Sequence, residues 1–257
     1  LTDYNKALEL DPNDMDYLFN RAYNYDDLKE YEKAIADLLR IIELDKDESF
    51  IKENGVYNNL AFYYERLENY EKAVEYYTKE ISINPDYLPY INRAKIYAYH
   101  LYDNEKALED YNKAIELDPT ADNFYSRAEF YRYIEEYDKS LTDYNKAIEI
   151  EPNDTDYLEE KANILLKLDK SDEALKIYNT LTLFYKRDIS NYKEDLIYNY
   201  EHIGDVYFKY FLDFDKAEEY ITKAIELYSE IDERNLKGES YALSLRGDIY
   251  FADGKTK

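Results

Sequence analysis

The stretch YNKALELDP runs from Tyr4 to Pro12, returns as YNKAIELDP from Tyr111 to Pro119, and returns again as YNKAIEIEP from Tyr144 to Pro152. In each copy a Tyr and an Ala stand three residues apart, the spacing of neighbours on one helix face. The closing Pro cannot continue a helix. Nine nearly identical residues written three times point to a repeat architecture, so the period of the chain is the first thing to find.

The period emerges when the chain is aligned on a small residue inside an apolar helical pattern. The matches are Ala22, Ala61, Ala94, Ala128, Ala162, Gly204 and Gly247, each followed three residues later by a large residue: Tyr25, Tyr64, Tyr97, Tyr131, Leu165, Tyr207 and Tyr250. About a dozen residues beyond the first small residue comes a second: Ala34, Ala73, Ala107, Ser140, Ala174 and Ala217. Four further stands a bulky one: Leu38, Tyr77, Tyr111, Tyr144, Tyr178 and Ile221. Each unit therefore reads as two helices, with small residues permitting close approach and large ones filling the space between. Pro12, Pro85, Pro119 and Pro152 close units.

Composition agrees. The 257 residues are 45% hydrophobic and 35% charged, with only 5 Gly and 5 Pro, which favours long helices with short connections. The 34 Tyr accompany frequent Asn, Lys and Ile, so tyrosine as a class carries no functional reading. A net charge of −25 repels nucleic acid and anionic lipid, and favours a protein or peptide partner with basic residues. No run of about 18 apolar residues is present. Cys is absent and His numbers 2, and no phosphate-binding loop, nucleophile elbow or metal-ligand spacing occurs. The expectation is a chain without an active site, cofactor or metal.

Comparing the units with one another exposes a paired choice. The residue before the first small slot is Arg21, Arg93 and Arg127 in three units, and the residue before the bulky slot of the second helix is then Asp37, Asp110 and Asp143. Where the first position holds Leu60 or Ile203, the second holds Tyr76 or Tyr220. Lys161 with Ile177 is the mixed case. The pattern predicts structural Arg–Asp pairs joining the two helices of a unit.

The segments NRAYNYDDLKEYEKAIADLLRIIELD and SRAEFYRYIEEYDKSLTDYNKAIEIEP resemble the tetratricopeptide repeat (TPR), in its bacterial form with Arg-Gly or Arg-Ala in the first helix and AIxDYxKAIELDP in the second. The resemblance covers nearly the whole chain. It implies an all-α, right-handed superhelical solenoid of antiparallel helix pairs, as one domain over 1–257. The units are a leading second helix (1–12), repeats at 13–46, 47–85, 86–119, 120–152, 153–187 and 188–231, and a trailing first helix (237–253). Two joints exceed the period, DKDESFIKENGVYNN and LFYKRDISNYKEDLIYNYEH, where lengthened helices are expected, with a break at Asn54-Gly55. Both ends stop inside a unit, which reads as an excerpt of a longer protein and leaves open ends suited to end-to-end self-association.

The resemblance further implies a binding face lined by the first helices, on which an extended peptide lies. The expected lining includes Phe19, Tyr23, Asn58, Phe62, Ile91, Lys95, Tyr125, Glu129, Glu159, Asn163, Glu201 and Asp205, aromatic and more acidic than basic. Asn20, Asn59 and Asn92 recur two residues before the small slot, similar to the asparagine ladder of peptide-binding solenoids. The lysines with which some TPR co-chaperones hold acidic tails are replaced here by aromatic or acidic residues. The function expected is a scaffold for protein–protein interaction. The alternatives are a targeting or regulatory segment of a larger enzyme and a self-assembling module.

Overall fold

The structure, a computed structural model, describes residues 1–231 and 236–255. They form two compact units, Leu1–Arg127 and Ala128–Lys257. The described residues contain fifteen α-helices and no strand. The first unit holds α1 (Thr2–Leu10), α2 (Met15–Asp27), α3 (Tyr31–Leu44), α4 (Ser49–Asn54), α5 (Val56–Arg66), α6 (Tyr70–Ile83), α7 (Tyr87–Tyr99), α8 (Asn104–Leu117) and the start of α9 (Ala121–Tyr133). The second holds the rest of α9, then α10 (Tyr137–Ile150), α11 (Thr155–Lys167), α12 (Ser171–Tyr185), α13 (Lys193–Val206), α14 (Phe214–Tyr228) and α15 (Leu236–Ala252). The first helices of the repeats are α2, α5, α7, α9, α11, α13 and α15.

The small slots are where paired helices meet. Ala22, Ala61, Ala94, Ala128 and Ala162 are fully buried, as are Ala34, Ala73, Ala107, Ser140, Ala174 and Ala217 opposite them. The bulky slot fills the remaining space, with Leu38, Tyr77, Tyr111, Tyr144, Tyr178 and Ile221 buried almost completely. Gly204 takes the small slot of α13 because Ile221 leaves no room: a Cβ there would lie 2.6 Å from Ile221 Cδ1. Gly247, in the equivalent slot of α15, has open space around it.

The two helices of a pair are joined by one recurring turn. Lys29, Glu68, Tyr102, Glu135, Asp169 and Leu212 all adopt left-handed φ between 52° and 61°. The next N–H reaches back across the helix end, as from Glu30 to Tyr25 O, Asn69 to Tyr64 O, Glu136 to Tyr131 O and Lys170 to Leu165 O, each at 2.8 Å. Asn69, Asp103 and Asp213 then cap the second helix by accepting from the N–H of Lys72, Lys106 and Lys216.

Two kinds of fastener hold the helix pairs. Arg21 Nε and Nη2 donate to Asp37 at 2.8 and 2.7 Å, and Arg93 makes the same forked contact with Asp110 at 2.8 and 2.7 Å. The pairs are largely buried, with side-chain exposures of 21% and 8% for the first and 14% and 7% for the second. The third guanidinium nitrogen reaches the second helix of the preceding repeat. Arg21 Nη1 donates to Asn5 Oδ1 at 2.9 Å, Arg93 Nη1 to Thr78 Oγ1 at 2.7 Å, and Arg127 Nη1 to Asn112 Oδ1 at 2.6 Å. Arg127 and Asp143 stand on either side of the border between the two units, and Asp143 is buried. Where Leu60 or Ile203 replaces the arginine, tyrosines stack instead: Tyr76 on Tyr64 at 5.5 Å and Tyr220 on Tyr207 at 5.8 Å.

The long joints differ from expectation. The chain does break at Gly55, which has a left-handed φ of 59°, but the extra residues form a separate short helix, α4, and not an extension of α5. Its Ile51 is buried in the core and its N–H donates to buried Asp45 at 2.8 Å, so the insertion is pinned at both levels. At the second joint α12 runs only to Tyr185, followed by a 3₁₀ turn at Lys186–Asp188. At the other end of α13 the helix widens into a π turn over Tyr207–Phe211, closed by left-handed Leu212.

These contacts predict unequal costs. Asp110→Asn leaves a mostly buried guanidinium without its ion-pair partner and should cost about 3 kcal/mol in urea unfolding. Thr78→Val removes one bond to the same arginine and should cost about 1 kcal/mol. Gly204→Ala should destabilise by about 1–3 kcal/mol through overpacking. Gly247→Ala, in open space within a helix, should stabilise by up to about 1 kcal/mol.

Candidate functional site

The slots three before and one after the small residue differ in character between the two units. In the first unit they are chiefly aromatic. Phe19 meets Tyr23 edge-on at 5.1 Å and Phe50 at 6.0 Å, and the Arg66 guanidinium lies 4.6 Å from the Phe62 ring centre. Tyr23 is 47% exposed. Ile91, expected on the face, is buried in the core, because its helix is apolar on more than one side. Tyr125 is half-buried.

The asparagines sit at the expected positions, but their amides are engaged. Asn20 Nδ2 donates to Asp16 O at 2.7 Å and Asn59 Nδ2 to Gly55 O at 3.1 Å, both within their own helices. Asn92 lies beside the Tyr77 hydroxyl and favours its ionised form. What Asn20 and Asn59 can still offer a ligand is chiefly the carbonyl oxygen.

In the second unit the same slots hold chiefly carboxylates, and tyrosines of the second helices reach them from below. The Tyr144 hydroxyl donates to Glu129, which also accepts from Arg132 Nε at 3.1 Å. Tyr178 donates to Asn163 Oδ1 at 2.8 Å, Tyr185 to Glu159, and Tyr228 to Glu201 Oε1 at 3.2 Å. Tyr77 and Glu65 make the corresponding contact in the first unit at 3.3 Å. The cause is general: a tyrosine ring buried in the helix interface carries a hydroxyl that must find an acceptor, and the nearest one lies on the first helix. The slot one after the small residue accepts from the bulky-slot tyrosine at Glu129 and Asn163, whereas Tyr77 reaches Glu65, four after Ala61. The slot three before it accepts from the tyrosine seven residues further along. That second spacing was present in the sequence and went unread, because tyrosine abundance hid it.

Partial burial disfavours the charged forms of this face. Burial pushes Glu159 and Glu160 up, and pushes Glu201, only 8% exposed, to about 7 despite the Tyr228 hydrogen bond. Burial lowers His202, which stacks on Tyr178 at 5.3 Å and meets Tyr198 edge-on at 4.2 Å. Two clefts flank His202. One, of about 510 Å³, lies between α11 and α13 and includes Glu160, Asn163, Tyr198 and Lys209. The other, of about 310 Å³, lies between α13 and α15 and is lined by Tyr198, Glu201, His202, Asp205, Gly238 and Tyr241. Tyr198 and Tyr241 both stand six residues before a small-slot glycine, outside the slots nearest the small residue. Among the described residues no group of His, Cys, Asp and Glu could hold a metal ion, and no helix is long and apolar enough to cross a membrane.

Glu201 makes stability depend on pH. Its folded-state value lies above its unfolded one, so its contribution is complete below about pH 4.5 and is lost as pH rises through about 7. Glu201→Gln should therefore raise stability at pH 8 by about 3 kcal/mol relative to its effect at pH 4.5, read from urea midpoints at the two values.

Tetratricopeptide repeat models match residues 3–36, 55–87, 89–120, 121–154 and 143–176. No curated protein sequence matches the chain. Among solved structures it is similar to the C-terminal part of a TPR repeat-containing protein from Cytophaga hutchinsonii, with 19% identity, 92% of each chain covered and a TM-score of 0.75. A tetratricopeptide repeat protein from Parabacteroides merdae aligns at 22% identity over 93% of this chain and 86% of that one, with a TM-score of 0.67. PilW, a widely conserved type IV pilus biogenesis factor, aligns at 20% identity over 78% and 86%, with a TM-score of 0.56. At these identities the likeness is one of fold. With more than half its length matched by models of one repeat and its helix pairs built on that repeat's small and bulky slots, the chain belongs to the tetratricopeptide repeat family, whose arrays serve as protein-interaction scaffolds.

Proposed function

We propose that this scaffold binds an extended protein segment carrying basic residues along the faces of its first helices. The observation that carries the reading is the set of carboxylates at the two outward slots of α9, α11 and α13, namely Glu129 one after the small residue and Glu159 and Glu201 three before it, each tethered by a tyrosine of the second helix. A tethered carboxylate loses little freedom when a ligand arrives, so an ion pair formed there keeps more of its energy than one between two mobile side chains. The net charge of −25 draws a cationic segment in from a distance. Exposed aromatic rings such as Tyr23, Tyr133 and Tyr198 offer apolar and cation–π contact beside the acids. Asn20, Asn59 and Asn92 would contribute carbonyl oxygens to backbone N–H groups of the ligand.

Fluorescence anisotropy of a labelled peptide of alternating Lys and Ser tests this. It should bind the intact chain and weaken by about tenfold or more as salt rises from roughly 0.05 to 0.5 M. The same peptide with Glu in place of Lys should not bind. Equal binding of the two peptides, or binding indifferent to salt, would overturn the reading.

A further inference from the structure

We propose that the cleft between α13 and α15 is a slot for one lysine side chain of the bound segment. The inference rests on the basic-segment reading above and gives it a specific address. Four of the six lining residues, Tyr198, Glu201, His202 and Asp205, come from one face of α13 at spacings of three, four and seven. Tyr241 and Gly238 of α15 close the opposite side. The volume, about 310 Å³, lies at the small end of ligand clefts, so it suits one side chain and not a folded element.

The polar groups in the cleft want a cation. Glu201 is 8% exposed and its Oε1 is held by the Tyr228 hydroxyl at 3.2 Å. Asp205 Oδ2 accepts from Lys209 at 2.7 Å, while Asp205 Oδ1 is buried and has no hydrogen-bond partner among the described residues. An acceptor left bare in that way is costly unless a donor arrives. Lys209 cancels part of the negative charge but is anchored to the other oxygen of the same carboxylate. His202 is held toward its neutral form by burial and adds no opposing charge. The Tyr198 and Tyr241 rings, 47% and 52% exposed, are available to pack on an alkyl stem and to face an ammonium.

One detail favours lysine over arginine. Glu201 and Asp205 lie one helical turn apart and so offer separate acceptors to a point charge with three donors, not one planar pair to a guanidinium fork. Glycine at position 238 leaves room for the Tyr228 ring. A Cβ there would stand 2.4 Å from the Tyr228 hydroxyl, the group that fixes Glu201.

Calorimetric titration of the intact chain with the Lys-Ser peptide, in buffers of different ionisation heat at pH 7, tests the slot. Glu201 is partly protonated there, and the titratable groups around it come from α13 (Asp205, His202), the π turn (Lys209), α14 (Tyr228) and α15 (Tyr241). An entering ammonium should restore its carboxylate, so a fraction of a proton passes to the buffer. Glu201→Gln should bind about tenfold more weakly and release no proton. Tyr241→Ala, at an exposed position that leaves the core intact, should bind roughly threefold more weakly. An arginine version of the peptide should bind more weakly than the lysine one. If the wild type binds and both variants match it with proton release unchanged, the slot is overturned and the broader reading stands. If the wild type does not bind the lysine peptide, both fall.

Discussion

Close approach of two helices at a buried small residue is the constraint on which the rest of this structure depends. Once Ala22, Ala61, Ala94, Ala128, Ala162 or Gly204 brings the helices of a pair together, the large residue three positions on must be covered, and the chain covers it in two ways. In the arginine units the guanidinium crosses the tyrosine, as Arg21 does over Tyr25 at 5.8 Å and Arg93 over Tyr97 at 5.9 Å, while its fork grips the aspartate. In the other units a tyrosine from the second helix stacks there directly. The arginine solution has the longer reach, because its third nitrogen also holds the preceding repeat. A fully buried ion pair seldom outcompetes apolar packing in energy. What this one adds is direction: a planar fork fixes the angle at which three helices meet.

The core and the outer face are linked by tyrosine. A leucine in the bulky slot, as at Leu38, fills space and ends there. A tyrosine fills the same space and delivers a hydroxyl to the far side, where Glu129, Asn163 or Glu65 receives it. The residues that fold the array thereby set the posture of those that face outward. The core preorganises the face, in addition to the contacts among its own side chains.

This arrangement has a cost where a carboxylate is drawn inward. Glu201 is held by one hydroxyl and otherwise surrounded by protein, which is why it clings to its proton near neutral pH. Side chains kept against local stability mark places where structure serves something besides folding. The glycine of α15 that accommodates Tyr228, and the π turn that ends α13, are further departures from regular helix in the same region.

The sequence alone determined the repeat, its two-helix unit, the small and bulky slots and the break at Gly55, because helical periodicity and proline punctuation are local properties written residue by residue. It also exposed the covariation of Arg21 with Asp37 and Arg93 with Asp110, since a pair that must meet leaves matching letters at a fixed spacing. The third arm of each arginine was not legible, because its acceptor, Asn5, Thr78 or Asn112, belongs to the preceding repeat and not to the arginine's own unit. Nor was the separation of Ile91 from its expected face, or the independence of α4, since both depend on which neighbour covers a helix. The links from Tyr185 to Glu159 and from Tyr228 to Glu201 span 26 and 27 residues, from the far end of a second helix back to the first helix of the same pair. Only the packing of the two helices of a pair brings those groups within hydrogen-bond reach, and burial there, not residue type, decides which acid on the face holds its proton.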